Sequence, residues 1–237
     1  MKCKVNDFYH YKLHFTYTFF ISSQFLRNLL HFCRMKLSFL ISLFIALFLG
    51  SCEENSNQQL PESLPEELWV EMLVEIPAGT IEKYELNKDS GQLQIDSVDG
   101  KPRLIEYLGY PGNYGMIKET ILPKNMGGDG DPLDVIAIGP PAERGSIVTC
   151  KVIGVLKLKD NGEQDDKLIA VSRNSSLQHI QSISELQANY PGISEIIETW
   201  FTNYKGQGKM LSKGFQEKKM AQEIYSKAKQ SYEKQAK

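Results

Sequence analysis

The chain is predicted to fold as an α+β protein, mainly β, with a small barrel of short strands followed by flanking helices in its C-terminal third. Three observations predict it. From about residue 64, short apolar or alternating runs separated by turn signals fill two thirds of the remaining chain. From Ile193 the hydrophobic period lengthens to that of a helix. The 237-residue sequence, once its leading segment is set aside, holds one domain's length of chain.

The strands come first. Trp69 to Ile76 is an apolar and acidic run stopped by Pro77. Ile81 to Leu86 alternates, with Ile81, Lys83 and Glu85 on one face and Glu82, Tyr84 and Leu86 on the other, because successive strand side chains point to opposite sides. The turn Asp89-Ser90-Gly91, the strand-like Leu93 to Asp96, the hairpin signal Asp99-Gly100 and the apolar Val135 to Ile138 continue the pattern. Gly145 to Lys159 and Lys167 to Val171 supply two further strands, linked by a polar loop from Asp160 to Asp166. Strands so short suggest a barrel. Ile193, Ile196, Ile197, Trp200, Phe201 and Tyr204 then recur at helical spacing, with Gly206 as a C-cap. A second helix is predicted from Gln216 to Gln235, with Met220, Ile224, Ala228 and Tyr232 on one face.

The leading segment reads as targeting rather than structure. Met35-Lys36 precedes an apolar run from Leu37 to Leu49, about a dozen residues, too short to cross a bilayer and suited to the h-region of a signal peptide. Leu49-Gly50-Ser51-Cys52 resembles the bacterial lipobox, in which the cysteine becomes the lipidated first residue after cleavage. Residues 1–51 are therefore expected to be a presequence and lipoprotein signal peptide, with 1–34 an upstream start lying outside the mature protein. Residues 52–63, opening with Glu53-Glu54-Asn55-Ser56-Asn57-Gln58-Gln59, read as a polar tether, and 64–237 as the domain. The expected location is the bacterial cell envelope, on its periplasmic or surface face, held to the membrane through lipid on Cys52.

Trimming alters the charge. The whole chain has 27 Lys and Arg against 29 Asp and Glu; residues 1–51 remove six basic and one acidic residue, leaving 21 against 28. An acidic domain disfavours nucleic-acid binding, which needs a basic stripe. With Cys52 lipidated, only Cys150 remains, inside the alternation Val148, Cys150, Val152, where a buried thiol is expected rather than a nucleophile or a disulfide partner. His179 is the only histidine past residue 51 and reads as a surface residue, so Cys/His zinc sites and most Ser-His triads are disfavoured together.

The run Asp129-Gly130-Asp131-Pro132-Leu133-Asp134-Val135 carries the chemistry. It places three carboxylates close together on a segment that Pro132 keeps non-helical, a donor set suited to hard cations such as Mg²⁺, Mn²⁺ or Ca²⁺. An EF-hand opening at Asp129 would need a ligand at Leu133, Gly at Asp134 and Glu at Pro140, and fails. An aspartyl-phosphate phosphatase would need Thr or Val at Leu133 and an apolar strand where Asn125-Met126-Gly127-Gly128 stands. An isolated Asp-Gly-Asp-Pro would usually be an acidic surface turn.

Its company argues otherwise. From Glu75 to Lys205 the chain resembles the family I soluble inorganic pyrophosphatases, whose fingerprint is the Asp-x-Asp-Pro-x-Asp-Val run at Asp129 to Val135. Val74-Glu75-Ile76-Pro77-Ala78-Gly79 is similar to the family's first strand, and Lys83-Tyr84-Glu85 to its next. Tyr110-Pro111-Gly112-Asn113-Tyr114-Gly115 is similar to its active-site tyrosine block, Asp160 to Lys167 to its metal and phosphate loop, and Tyr204-Lys205 to its closing pair. In one departure, Pro102 stands where the family's arginine falls ahead of the tyrosine block, and Arg103 comes one position later.

The resemblance implies a five-stranded OB-type barrel with flanking helices and Mg²⁺-dependent hydrolysis of pyrophosphate to two phosphates, with several Mg²⁺ ions per site and Mn²⁺ as a substitute. It implies that Asp129, Asp134, Asp165, Asp160, Glu75 and Glu85 serve the metals, and that Lys83, Arg103, Lys167, Tyr204 and Lys205 grip phosphate oxygens. Asp131 is by resemblance the base that takes a proton from a metal-activated water, with Tyr114 hydrogen-bonding in the same cavity. Homo-oligomers are common among such relatives. Without the resemblance, Lys83 and Glu85 would read as a solvated strand face and Tyr204 as helix packing. Two other readings compete: a lipid-anchored phosphoanhydride-binding module without turnover, and an envelope phosphatase acting on nucleotides or polyphosphate. The presence of Asp131 argues against the first, since a pure binder has no use for a base.

Overall fold

The computed structural model describes residues 66–123, 128 and 130–235. The expected signal peptide, Cys52, the tether and Asp129 lie outside them. All described residues fall in one compact unit, Gln59–Lys237.

The chain forms β1 (Leu68–Ile76), β2 (Tyr84–Leu86), β3 (Leu93–Ile95), β4 (Ser97–Val98), β5 (Lys101–Pro102), β6 (Asn113–Ile117), β7 (Leu133–Ile138), β8 (Ile147–Asp160), β9 (Glu163–Gln164) and β10 (Lys167–Ser172). Helices α1 (Ile183–Asn189) and α2 (Ile193–Asn203), strand β11 (Met210–Glu217) and helix α3 (Lys218–Gln235) complete it. Strands β1, β6, β7, β10 and β8 pair in that order, and β8 returns to β1, closing a ring of five. The expected mainly-β barrel with C-terminal helices is thus observed. Among the described strand pairs only β7 and β10 run parallel, with Leu168 opposite Val135 and Val171 opposite Ile138.

Strand β8 makes the closure possible because it is long. Its first half pairs β1, from Leu73 opposite Ile147 to Leu68 opposite Val152, and its second half carries β11 and β9. Two glycines and a bulge fit the ring together. A Cβ on Gly115 would lie 1.9 Å from the Leu73 carbonyl oxygen, so β1 and β6 approach as they do only with glycine there. Between Val74 and Ile76 the β1–β6 register shifts, leaving Glu75 as the bulged residue; a bulge bends its strand and re-aims a side chain. A Cβ on Gly154 would meet the Gln216 carbonyl oxygen at 2.5 Å, where β8 passes β11.

The strand faces divide the core into two clusters. One draws Val70, Met72, Val74, Ile117, Val135, Ala137, Cys150, Val152, Leu168 and Ala170 from all five ring strands and adds Ala221 and Ala228 of α3. The other takes the opposite parity, Ile136, Ile153, Ile169 and Val171, and packs it against Ile183 and Leu186 of α1 and Ile197, Trp200 and Phe201 of α2. Cys150 is fully buried in the first cluster, and burial pushes its thiol up to about 12. His179 is exposed, with Nδ1 3.2 Å from the Ser176 carbonyl oxygen.

Several local expectations are corrected. The alternating run Ile81 to Leu86 is a strand only over Tyr84–Leu86, with Glu82 making an isolated bridge to Leu104. The loop from Asp160 to Asp166 is instead a tight hairpin into β9, turned by Asn161 at φ 48° and Gly162 at φ 95°. The hairpin at Asp99-Gly100 is as expected, both residues having positive φ between β4 and β5. The last helix begins at Lys218, because Gln216 and Glu217 belong to β11. Its inner face is Ala221, Ile224, Tyr225 and Ala228, whereas Met220 is 40% exposed: the small alanines let the helix lie close to β8.

Candidate active site

The strand ends, the β2–β3 hairpin and the end of α2 enclose a cavity of about 310 Å³. It is lined by Glu75 from the β1 bulge, Lys83 and Glu85 around β2, Arg103, Tyr110, Tyr114, Asp131, Asp134, Asp165, Lys167, Tyr204 and Lys205. Segments distant in sequence thus converge because the ring brings the ends of β1, β6, β7 and β10 side by side. Lys83 and Glu85 share the cavity side of their segment as strand alternation requires, joined by a 2.6 Å ion pair, while Tyr84 turns away to stack under Arg144 at 3.8 Å. The same Arg144 donates through Nε to the Glu75 carbonyl oxygen at 3.2 Å, tying this wall to β1.

At the cavity's inner end, Lys167 is buried and donates to Asp134 and, at 2.7 Å, to Asp165. Burial alone would drive its ammonium to lose its proton, but the two carboxylates outweigh this and hold it above its ordinary range. Burial likewise raises Asp165, against the pull of Lys167. Burial pushes Glu75 up to about 7, opposed by the Leu86 amide, which donates to Glu75 Oε1 at 2.9 Å. That bond also fixes the hairpin to β1.

The phenols form the other wall. Tyr110 and Tyr114 sit with ring centroids 5.2 Å apart, and burial raises both hydroxyls, keeping them protonated donors. Tyr204 stacks on Trp200 at 4.5 Å with planes 11° apart, and Trp200 Nε1 donates to the Leu108 carbonyl oxygen at 2.8 Å. Tyr204 therefore packs the helix and lines the cavity at once. Asn113 anchors this block from beneath: its Oδ1 accepts from the Ala78 and Ala142 amides at 3.1 and 2.8 Å, and its Nδ2 donates to the Pro140 carbonyl oxygen at 2.8 Å.

Two predicted residues stand apart. Asp160 lines an adjacent cleft that shares Arg103, Tyr204 and Lys205 with the cavity, and accepts from Lys205 Nζ at 2.5 Å. Asp129 lies outside the described residues. Arg103, despite its offset, does reach the cavity wall, held by Asp96 at 2.8 Å. Sequence reasoning missed Tyr110, which stood in the tyrosine block, and Lys88, whose place in the turn after Lys83 and Glu85 was the available signal.

The donor set fits a hard cation: every acidic group in the cavity is a carboxylate, with no thiolate or imidazole among the lining residues. Among the described residues, no three such groups already converge on one point. Instead the lysines lie against the carboxylates, Lys167 on Asp134 and Asp165, Lys88 on Asp131. Among the described residues, five carboxyl groups thus share the cavity with five basic side chains.

An OB-type barrel bearing so polar a cavity, with phenols, guanidinium and ammonium groups around carboxylates, defines a hydrolase site for a small, highly charged anion. Comparison with known proteins specifies it. The family model for inorganic pyrophosphatase matches residues 72–233, and the chain belongs to that family; it is an inorganic diphosphatase. Among curated relatives it is 32% identical to the inorganic pyrophosphatase of Campylobacter jejuni over 165 residues, covering 68% of this chain and 90% of that protein. Among solved structures it is similar to the inorganic pyrophosphatase of Helicobacter pylori, at 29% identity and a TM-score of 0.60 over 74% of this chain and 99% of that one. The vacuolar soluble pyrophosphatase of Trypanosoma cruzi, solved in complex with PPi, superposes with a TM-score of 0.69 at 25% identity, over 76% of this chain and 74% of that one.

Proposed function

We propose that this chain hydrolyses inorganic pyrophosphate to two phosphates with Mg²⁺ as its cofactor, while tethered to the bacterial envelope through lipid on Cys52. The cavity carries the catalytic part of this reading: its volume of about 310 Å³ and its charged lining suit a small polyanion with no apolar handle. Asp129, Asp134, Asp165, Glu75 and Glu85 would hold Mg²⁺, or Mn²⁺ in its place, with Asp160 joining from the adjacent cleft. When bound, the metal neutralises phosphate charge and makes a water acidic enough to attack near neutral pH.

The chain's own groups do the rest. Lys83, Arg103, Lys167, Tyr204 and Lys205 donate to phosphate oxygens and orient the scissile bridge, charged donors giving the stronger hydrogen bonds. Asp131 accepts the proton of the attacking water. Tyr114, held protonated by its burial, donates within the same cavity. Lys167 has a second task, keeping Asp134 and Asp165 from repelling each other before cations arrive.

The test is phosphate release by the purified protein, comparing pyrophosphate with ATP at equal Mg²⁺, alongside Asp131→Asn. Pyrophosphate should be the preferred substrate, and the variant should lose about 10²–10⁴-fold in kcat, the usual worth of a general base. No release from pyrophosphate, or full turnover by Asp131→Asn, would sink the mechanism. The envelope tether rests on the lipobox-like Leu49-Gly50-Ser51-Cys52 and the apolar run before it. Mass analysis of protein extracted from membranes should find diacylglycerol on Cys52 as the first residue; an unmodified thiol there would refute the anchor.

A further inference from the structure

The β2–β3 hairpin carries a lysine to which neither metal binding nor phosphate binding gives a role. Lys88 lies in its turn and lines the cavity, and its Nζ forms an ion pair with Asp131 Oδ1. The turn that presents it is fixed. Asn87 Oδ1 accepts from the Asp89 and Ser90 amides at 3.0 and 2.8 Å, the Gly91 amide donates to the Asn87 carbonyl oxygen at 2.8 Å, and Gly91 takes φ 65°. At its base, Glu75 holds the Leu86 amide, so the hairpin cannot slide along the cavity without breaking a bond to β1.

The backbone of Asp131 is fixed too. Its carbonyl oxygen accepts from the Leu122 amide at 3.2 Å, the Gly130 amide donates to the Leu122 carbonyl oxygen at 3.0 Å, and Pro132 restricts the next φ. Lys88 is among the groups that set the rotation of the carboxylate itself. The pair is exposed, Lys88 at 66% and Asp131 at 48% of their side-chain surface, and an ion pair so wet adds little to stability. The other cavity lysines lie on groups assigned to metals, Lys167 on Asp134 and Asp165 and Lys83 on Glu85, whereas Lys88 addresses the base.

We propose that Lys88 is a positioning residue for Asp131: by holding one carboxylate oxygen, it aims the other at the attacking water. The inference rests on Asp131 being the base. Lys88 itself touches neither substrate nor metal in this role. A general base has to sit within hydrogen-bond reach of the proton it takes, so a carboxylate rotating among several orientations spends less time in the productive one.

A double-mutant cycle in the full-length protein tests it, with kcat and KM for Mg²⁺-pyrophosphate as readouts. Lys88→Met should lower kcat about tenfold or more while leaving KM within about twofold, since loss of an interaction that acts only through the base leaves substrate binding alone. Lys88→Arg should recover most of the rate. In the Asp131→Asn background, Lys88→Met should cost nothing further, and the melting temperature should be the same in all variants.

A rise in KM at constant kcat would make Lys88 a substrate ligand and overturn the proposal. Losses that multiply in the double variant would overturn it as well, because they would show independent roles. A slow Asp131→Asn beside an unaffected Lys88→Met defeats this inference alone. A fully active Asp131→Asn defeats the base assignment and this inference together.

Discussion

Strands β7 and β10 lie side by side and show two opposite uses of one sheet. On one face Leu133, Val135 and Ala137 meet Leu168 and Ala170 in a cluster without polar side chains from either strand. One residue over, at the cavity end, Asp134 and Lys167 face each other with Asp165 beside them. The dry face stabilises the ring. The charged end of the other face works against that stability, because each ionised group there has left water and depends on a partner, while Ile136, Ile169 and Val171 further along the same face pack against α1 and α2. Face and position along the strand together therefore separate holding the fold from handling the substrate, and each can be perturbed alone.

The largest effect is expected where the charged face is broken. Lys167→Met leaves Asp134 and Asp165 facing each other; stability should fall by about 3 kcal/mol and kcat by about 10²-fold. Denaturant unfolding with and without Mg²⁺ checks this, added Mg²⁺ recovering part of the stability if the two carboxylates can take a cation. On the dry face, Leu168→Ala should cost about 2–3 kcal/mol with kcat retained well below the melting temperature, since it removes packing alone. If Leu168→Ala lowered kcat as far as Lys167→Met does, the separation of the faces would be wrong.

Glu75 sharpens the comparison through pH. Its carboxyl, raised by burial to about 7 from 4.5, keeps its proton in the folded state where the unfolded chain has lost it. Metal-free protein should therefore lose stability as pH rises from about 4.5 to 7, by about 3 kcal/mol from this group, and level off above. Glu75→Gln should flatten that slope and be the more stable protein at pH 7.5, while losing activity. A slope unchanged by the substitution would show that Glu75 is already charged near pH 5. The smallest effect belongs to Cys150, buried in the dry cluster with its thiol raised to about 12. In native protein a thiol reagent should not label it within the time that fully labels unfolded chain.

Much of the fold was legible because its signals are local. Pro77 ends β1, Asp99-Gly100 turns its hairpin, and Ile193 to Phe201 carry their period openly. Strand β11 was not legible: Met210-Leu211-Ser212-Lys213-Gly214-Phe215 lacks clean alternation, and the second half of β8 makes it a strand by offering a ladder. Helix α1 spans too few residues for a period to show. Its start was nonetheless written as Ser182-Ile183-Ser184-Glu185, with Ser182 Oγ accepting from the Glu185 amide at 3.0 Å. In the site, residue types and spacing pointed to a hard-cation motif at Asp129 to Asp134 and the family resemblance named most of the remaining lining, but pairings across distant segments, such as Lys88 with Asp131, depend on how the ring closes.

That closure also sets a timetable. Leu68 to Leu73 completes the ring only by pairing with Ile147 to Val152, so a chain emerging N-terminus first can pair β1 with β6 but leaves the other edge of its opening strand unpaired until β8 has been made. The site waits longer still, since Lys167 and Asp165 of its inner end follow β8 in the chain. A barrel whose first strand closes on its eighth becomes a ring only after the chain up to Val152 has been made.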